Sequence, residues 1–164
     1  MIQGNILSLG TIVDEKAILN AREANLNARE ANLSAEKANL SAREANLSAR
    51  EANLNTEKAN LSAREANLSA REANLNTKKA TLISQLQHCT DERTRNSLNE
   101  QLHDVRNDLV SVNAQLVSVN AQLDSVNALL RSVNVQLEVT AKSFDRLLRQ
   151  QGRGKQFFVQ RLLG

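Results

Sequence analysis

Residues 98–137 read LNEQLHDVRNDLVSVNAQLVSVNAQLDSVNALLRSVNVQL, and this stretch decides the fold class. Its Leu and Val residues alternate at steps of four and three without a slip, which is the a/d spacing of a coiled coil. Thr140, Phe144 and Leu147 continue the series, so it exceeds the three or four heptads that predict a coiled coil. We name these positions the seam and predict that it packs against another helix. The apolar seam residues are Leu98, Leu102, Val105, Leu109, Val112, Leu116, Val119, Leu123, Val126, Leu130, Val133 and Leu137.

Upstream of the seam, a heptad of the form Ala-Arg-Glu-Ala-Asn-Leu-Asn/Ser is repeated from Ala21 almost word for word. Its Ala residues recur at steps of three and four (the Ala rows), and its Leu residues recur every seven from Leu26 to Leu75 (the Leu row). The Ala rows therefore predict a narrow contact seam, with the Leu row close to the opposite side of the helix. A buried Ala methyl contributes only about 0.8 kcal/mol against about 1.5–3 kcal/mol for Leu. The block thus predicts a helix that is stable mainly when both faces are covered.

Two charged columns flank the Leu row, an Arg column that starts at Arg22 and a Glu column that starts at Glu23. Their spacing within one helix gives almost no ion pairs at the useful three- or four-residue separation. If two such helices pack along their Leu rows in parallel, the Arg column of one meets the Glu column of the other. In antiparallel packing like columns would meet. The columns therefore predict a mild preference for parallel association, unless they are simply a solvated face.

The two blocks can be joined in two ways. The seam shifts by a four-residue stutter between Leu82 and Leu98, which is compatible with one continuous helix from about Ile12 to Gln151. Alternatively, the chain turns near residues 88–97 and the blocks pair as a hairpin. Thr90 or Asp91 could then cap the second helix, and Ser97-x-x-Glu100 has the form of a capping box. The sequence favours the continuous helix, because short turns usually contain Gly or Asn and this one has neither until Asn96.

The predicted fold class is therefore all-α, a long heptad-repeat coiled-coil helix that is either a continuous rod or a two-helix hairpin. The pattern Thr11-x-x-Asp14 after Gly10 predicts a helix start, and Gly152 with Gly154 predicts the helix end. The predicted segments are an N-terminal lead (1–11), an Ala/Leu heptad helix (12–83), a stutter or turn (84–97), a Leu/Val coiled-coil helix (98–151) and a basic apolar tail (152–164).

Charge is distributed unevenly along the chain. The net charge is +3 and the pI is near 9.4, but the excess lies after Ala141, where basic residues are interleaved with Leu and Phe. Such a segment could contact an anionic membrane surface or nucleic-acid phosphates. Its alternative role is a helix end whose positive charge suits the helix dipole. The candidate anion-contacting residues are Arg146, Arg149, Arg153, Lys155 and Arg161.

Composition argues against an enzyme. Aromatic residues make up 2% of the chain, Pro is absent, and the five Gly residues lie near the two ends, so the turns and large side chains of a globular scaffold are missing. His88, Cys89 and His103 match no zinc spacing. No nucleotide-binding loop or catalytic carboxylate pair is present. We therefore expect no catalytic residue, no metal ligand, no cofactor and no small-molecule substrate.

Two functions follow from these patterns. The first is a non-catalytic structural or assembly protein that self-associates, or binds a helical partner, through its coiled coil. The second is a coiled-coil module that presents the basic tail to a membrane or a nucleic acid. Because Cys89 is the only cysteine and no apolar run approaches a membrane span, we expect a reduced, intracellular and cytoplasmic protein.

Overall fold

The computed structural model describes the backbone of residues 2–163 and the side chains of residues 8–152. Two helices account for this backbone: α1, Ile2–His88, and α2, Glu92–Leu163. No strand occurs in the described part of the chain. The prediction of an all-α fold is therefore confirmed.

The continuous helix that the sequence favoured is wrong, because residues 89–91 are not helical and side chains on either side of them pack together. The turn has three residues, within the usual range for two antiparallel helices. It contains no Gly, and no described residue has a positive φ. The expected glycine is not needed, because the second helix is started by a side chain, that of Asp91.

The predicted helix ends are also wrong. Helix α1 already includes Gly10 and Thr11, and helix α2 continues past Gly152 and Gly154 to Leu163. An isolated Gly costs a helix only about 1 kcal/mol relative to Ala, which does not suffice to end it when the neighbouring residues are helical. A Cβ atom added at Gly10 or Gly152 would meet no atom within 4 Å. Neither glycine therefore marks a close contact.

The chain forms two compact units. Unit 1 comprises Met1–Ser48 with Gln136–Gly164, and unit 2 comprises Ala49–Val135. Unit 2 contains the turn, and its helical segments are antiparallel. Leu82 packs with Leu98 close to the turn, whereas Leu68 packs with Val119 farther from it.

The core of unit 2 consists of the Leu row of α1 and the seam of α2. Around Leu82, the buried residues are Leu98, Leu102, Val105 and Leu109, with Leu75, Ile83, Leu86 and Cys89 partly buried against them. Around Leu68, the buried residues are Val112 and Val119, with Leu75, Leu116 and Leu123 partly buried against them. The Leu row thus extends to Leu82, one heptad beyond the predicted end of the row.

In unit 1 the buried side chains include Leu47, Thr140 and Leu147. Thr140 occupies a seam position and is 2% exposed, yet its hydroxyl is satisfied because it donates a 2.8 Å hydrogen bond to the carbonyl of Gln136. No described side chain leaves a buried polar atom without a partner. A threonine therefore replaces valine here without an unpaired polar group.

The Ala rows do not form the contact face that the sequence predicted. Every Ala of the repeat from Ala21 to Ala80 is exposed, whereas Leu47, Leu54, Leu68 and Leu82 are buried. Because a Leu contributes about two to four times as much as an Ala methyl, the chain turns its Leu row inward from Leu33 onward and leaves its Ala rows in solvent.

Candidate functional site

The seam of α2 is the main candidate site, and its two rows differ in burial. The Val row is almost completely covered, with Val112 and Val133 at 0% exposure. Leu98 begins this row and is buried as well. The second row of the seam, which begins at Leu102, is buried only near the turn, at Leu102 and Leu109. Farther along α2 the Leu residues of the seam are half-buried. These are Leu116, Leu123, Leu130 and Leu137.

This difference follows from an unequal supply of apolar side chains. Helix α2 brings two large apolar residues per heptad to the contact, and helix α1 brings one. Within unit 2, the α1 position next to the Leu row is filled by half-buried members of the Glu column, such as Glu65 and Glu72. A glutamate cannot cover a leucine as another leucine would. One edge of the seam therefore remains open to solvent.

Outside the seam, Val110 and Val117 are exposed to 70% and 71%. They lie one heptad apart on α2, but Asp124 and Arg131 occupy the next two positions of the same row. The row is therefore apolar over two positions only, and it does not continue the pattern of the seam.

The order of the charges in the columns of α1 is not the same in every heptad, although the heptads are otherwise almost identical. In most heptads a basic residue precedes an acidic one, as in Arg50-Glu51. The order is inverted at Glu36-Lys37 and again at Glu57-Lys58, 21 residues later, and both residues are basic at Lys78-Lys79. A comparison of the heptads position by position would have found this signal. Three heptads, not one, therefore form the repeating unit of charge.

The Arg column is exposed throughout, from Arg22 to Lys78. The Glu column is exposed or half-buried, the half-buried members being Glu51, Glu65, Glu72 and Lys79. Within residues 8–152 the one ion pair joins Lys142 Nζ to Glu138 Oε1 at 3.0 Å in α2. The columns of α1 therefore form no ion pair, as the spacing of the repeat predicts.

The turn is a compact hydrogen-bonded group around Asp91. Its carboxylate oxygen Oδ2 accepts hydrogen bonds from the Thr94 hydroxyl at 2.7 Å and from the Thr94 backbone N–H at 3.0 Å. The side-chain hydrogen bond from Thr94, and then the backbone one, lower the pKa of Asp91 below its ordinary value of 3.8. Asp91 is thus the N-cap of α2, one of the two residues that the sequence offered for this role.

Further hydrogen bonds close the turn from the Cys89 side. The Arg95 guanidinium donates to the carbonyl of Cys89 at 2.9 Å, and the Cys89 thiol donates to the carbonyl of Asp91 at 3.2 Å. His88 Nδ1 lies 2.9 Å from the carbonyl of Ser84 in the last turn of α1. The predicted capping box is not used, because Ser97 lies inside α2, where its hydroxyl accepts a 3.4 Å hydrogen bond from Gln101. These residues serve the geometry of the turn.

The basic tail is described only in part. Arg146 and Arg149 are exposed on α2. The side chains of Arg153, Lys155 and Arg161 lie outside the described residues. The contact of this tail with an anionic partner stays a prediction.

Residues 8–152 contain no group of three or more His, Cys, Asp and Glu side chains placed to hold a metal ion. Among the described helices, none combines the length and apolar character needed to cross a membrane.

In comparisons with known proteins, no family model, no curated protein and no solved structure matches this chain.

Proposed function

We propose that this chain is a non-catalytic structural protein, a helical hairpin that assembles with further copies of itself. The observation that supports the proposal is the open edge of the seam. Leu116, Leu123 and Leu130 recur every seven residues along unit 2 and are only half-buried by α1. A regular apolar row of this kind gains free energy when another helix covers it.

This proposal differs from simple pairing of single helices. The fully buried Val row is occupied by the chain's own α1, so it is not free for a second copy. Only the Leu edge remains, which favours association of hairpins that are already folded. The reduced, intracellular setting expected from the single cysteine is part of the same proposal.

The test compares the oligomeric state of three full-length chains by sedimentation velocity. In the first variant, Leu116, Leu123 and Leu130 are each replaced by Gln. We expect its association constant to fall by at least about tenfold, because each Leu edge withdrawn from the contact is worth on the order of 1 kcal/mol. Circular dichroism of the unmodified chain and of the variant shows whether the helices persist in both.

A matched control carries three Gln residues on the far side of the same helix, at Ala114, Ala121 and Ala128, which are all exposed. This control should associate as the unmodified chain does. A wild-type chain that stays monomeric at high micromolar concentration would contradict the proposal, as would equal losses in the two variants.

A further inference from the structure

We infer that the inverted charges of α1 restrict the register in which two copies of this chain lie side by side, with their α1 helices parallel, and exclude slips by one heptad. The inference rests on the self-association proposed above and identifies its partner as a second copy. It starts from the two columns that flank the Leu row, since their charges are exposed or half-exposed and unpaired within the described chain.

Beyond the part of α2 close to the turn, which carries charges from Glu92 to Asp108, the columns of α1 have no matching row of charges on α2 in unit 2. Between Val110 and Val135 that helix carries only two charged residues, Asp124 and Arg131, and the seam is flanked by Asn and Gln except at Leu129. The columns of α1, in contrast, are complementary to each other. The surface of this chain that fits one column is therefore the other column, on another copy of α1.

In unit 2 the complementarity holds in register. When the Arg column of one copy faces the Glu column of a second, parallel copy, four of the five pairs join opposite charges, and only Lys78 with Lys79 does not. The four favourable pairs are Arg50–Glu51, Glu57–Lys58, Arg64–Glu65 and Arg71–Glu72. Because the inverted heptad is inverted in both columns, it fits as well as its neighbours.

A slip by one heptad removes this fit. If the second copy moves by seven residues, Arg50 faces Lys58 and Glu57 faces Glu65. A slip the other way places Glu57 against Glu51 and Arg64 against Lys58. Columns without inversions would tolerate either slip, since every Arg would again face a Glu.

Unit 1 shows the same property independently. Its four pairs, from Arg22–Glu23 to Arg43–Glu44, join opposite charges in register. A slip by seven residues leaves one favourable pair of three in either direction, because Glu36 and Lys37 then face like charges. Antiparallel packing would bring like columns together. The charge pattern therefore distinguishes direction as well as register.

Each exposed ion pair contributes little, so the pattern selects among arrangements more than it adds affinity. A repetitive sequence needs such selection, since identical heptads would otherwise associate in many registers of similar energy.

The test uses an isomer of the full-length chain in which each inverted pair is exchanged, by Glu36→Lys, Lys37→Glu, Glu57→Lys and Lys58→Glu. All four positions are exposed, and composition and net charge stay the same. The isomer has uniform columns and should associate with itself. It should avoid the wild type, because a mixed pair in register places like charges together at both exchanged heptads.

Isotope-labelled wild type is mixed with the unlabelled isomer at low salt, and native mass spectrometry counts mixed and unmixed oligomers. We expect mixed oligomers to be roughly fivefold rarer than a random mixture gives. The deficit should vanish at high salt, where exposed charges are screened. A control chain with Lys37→Arg and Lys58→Arg keeps the pattern and should mix freely with the wild type.

The outcomes separate the two proposals. If both chains associate but mix at random, the register inference is overturned while self-association stands. If the wild type stays monomeric over the whole concentration range, self-association fails and the register inference fails with it. Sorting of the isomer together with free mixing of the control supports the inference.

Discussion

At the scale of single residues, Asp91 decides where the chain turns. Its carboxylate takes two donors from Thr94 and so satisfies the start of α2, while Arg95 ties the carbonyl of Cys89 back to that helix. The sequence offers Asp91 as a possible N-cap of a second helix. It does not show that this cap is sufficient for a turn that contains no Gly. Side-chain capping supplies locally what a glycine in the left-handed region supplies in other turns.

Asp91→Asn is expected to lower the thermal unfolding midpoint at neutral pH, because a neutral amide accepts the two Thr94 hydrogen bonds less strongly than a carboxylate does. The pKa of Asp91 is lowered in the folded chain, so its stabilising contribution is present above 3.8, its unfolded value, and is lost as the pH falls through the lower folded value. The difference in midpoint between the two chains should therefore shrink below pH 3.8. A difference that stays constant to the lowest pH would contradict a role for the charge.

At the scale of the helices, the buried face follows more directly from the sequence in α2 than in α1. Every seam position of α2 from Leu98 to Leu137 is buried or half-buried, because two large apolar residues per heptad leave no choice of face. In α1, each heptad offers two small apolar residues in the Ala rows and one large apolar residue in the Leu row. The spacing of the Ala residues predicts the wrong face, because the larger area of the Leu side chains decides which face of α1 is buried.

Leu68→Ala and Ala66→Ser test this assignment of faces in α1. Leu68 is buried between Val112 and Val119, so its truncation should cost about 2–5 kcal/mol of unfolding free energy. Ala66 is exposed, and Ser in its place should cost no more than about 0.7 kcal/mol, the usual difference in helix propensity. Urea unfolding followed by circular dichroism measures both. Comparable losses in the two variants would mean that the Ala rows are buried in solution.

At the scale of the whole molecule, the sequence predicted two helical blocks and left their connection open. Periodicity reports which residues share a face, and it is the same for a helix that continues and for one that reverses. Whether the helix continues or reverses depends on the three residues between His88 and Glu92. This stretch is too short to alter a heptad pattern. The open edge of the seam was also hidden from the sequence, because it depends on how one Leu row of α1 covers two rows of α2.

Two registers of neighbouring, parallel α1 helices satisfy the charge columns. The inverted heptads recur after 21 residues, so the charge columns fit both without a shift and after a shift of three heptads, which is roughly 32 Å along a helix.

Cys89 distinguishes the two registers, since it is partly exposed in the turn. Without a shift, the cysteines of parallel neighbours lie at the same level. A bis-maleimide reagent that spans about one helix diameter, roughly 10 Å, should then join them. Denaturing electrophoresis should show crosslinked chains for the wild type and none for Cys89→Ser. Assemblies that label fully with a single maleimide but do not crosslink would exclude the unshifted register. Over the whole length of α1 we expect the unshifted arrangement, because a shift of 21 residues leaves three heptads of every α1 without a charged neighbour.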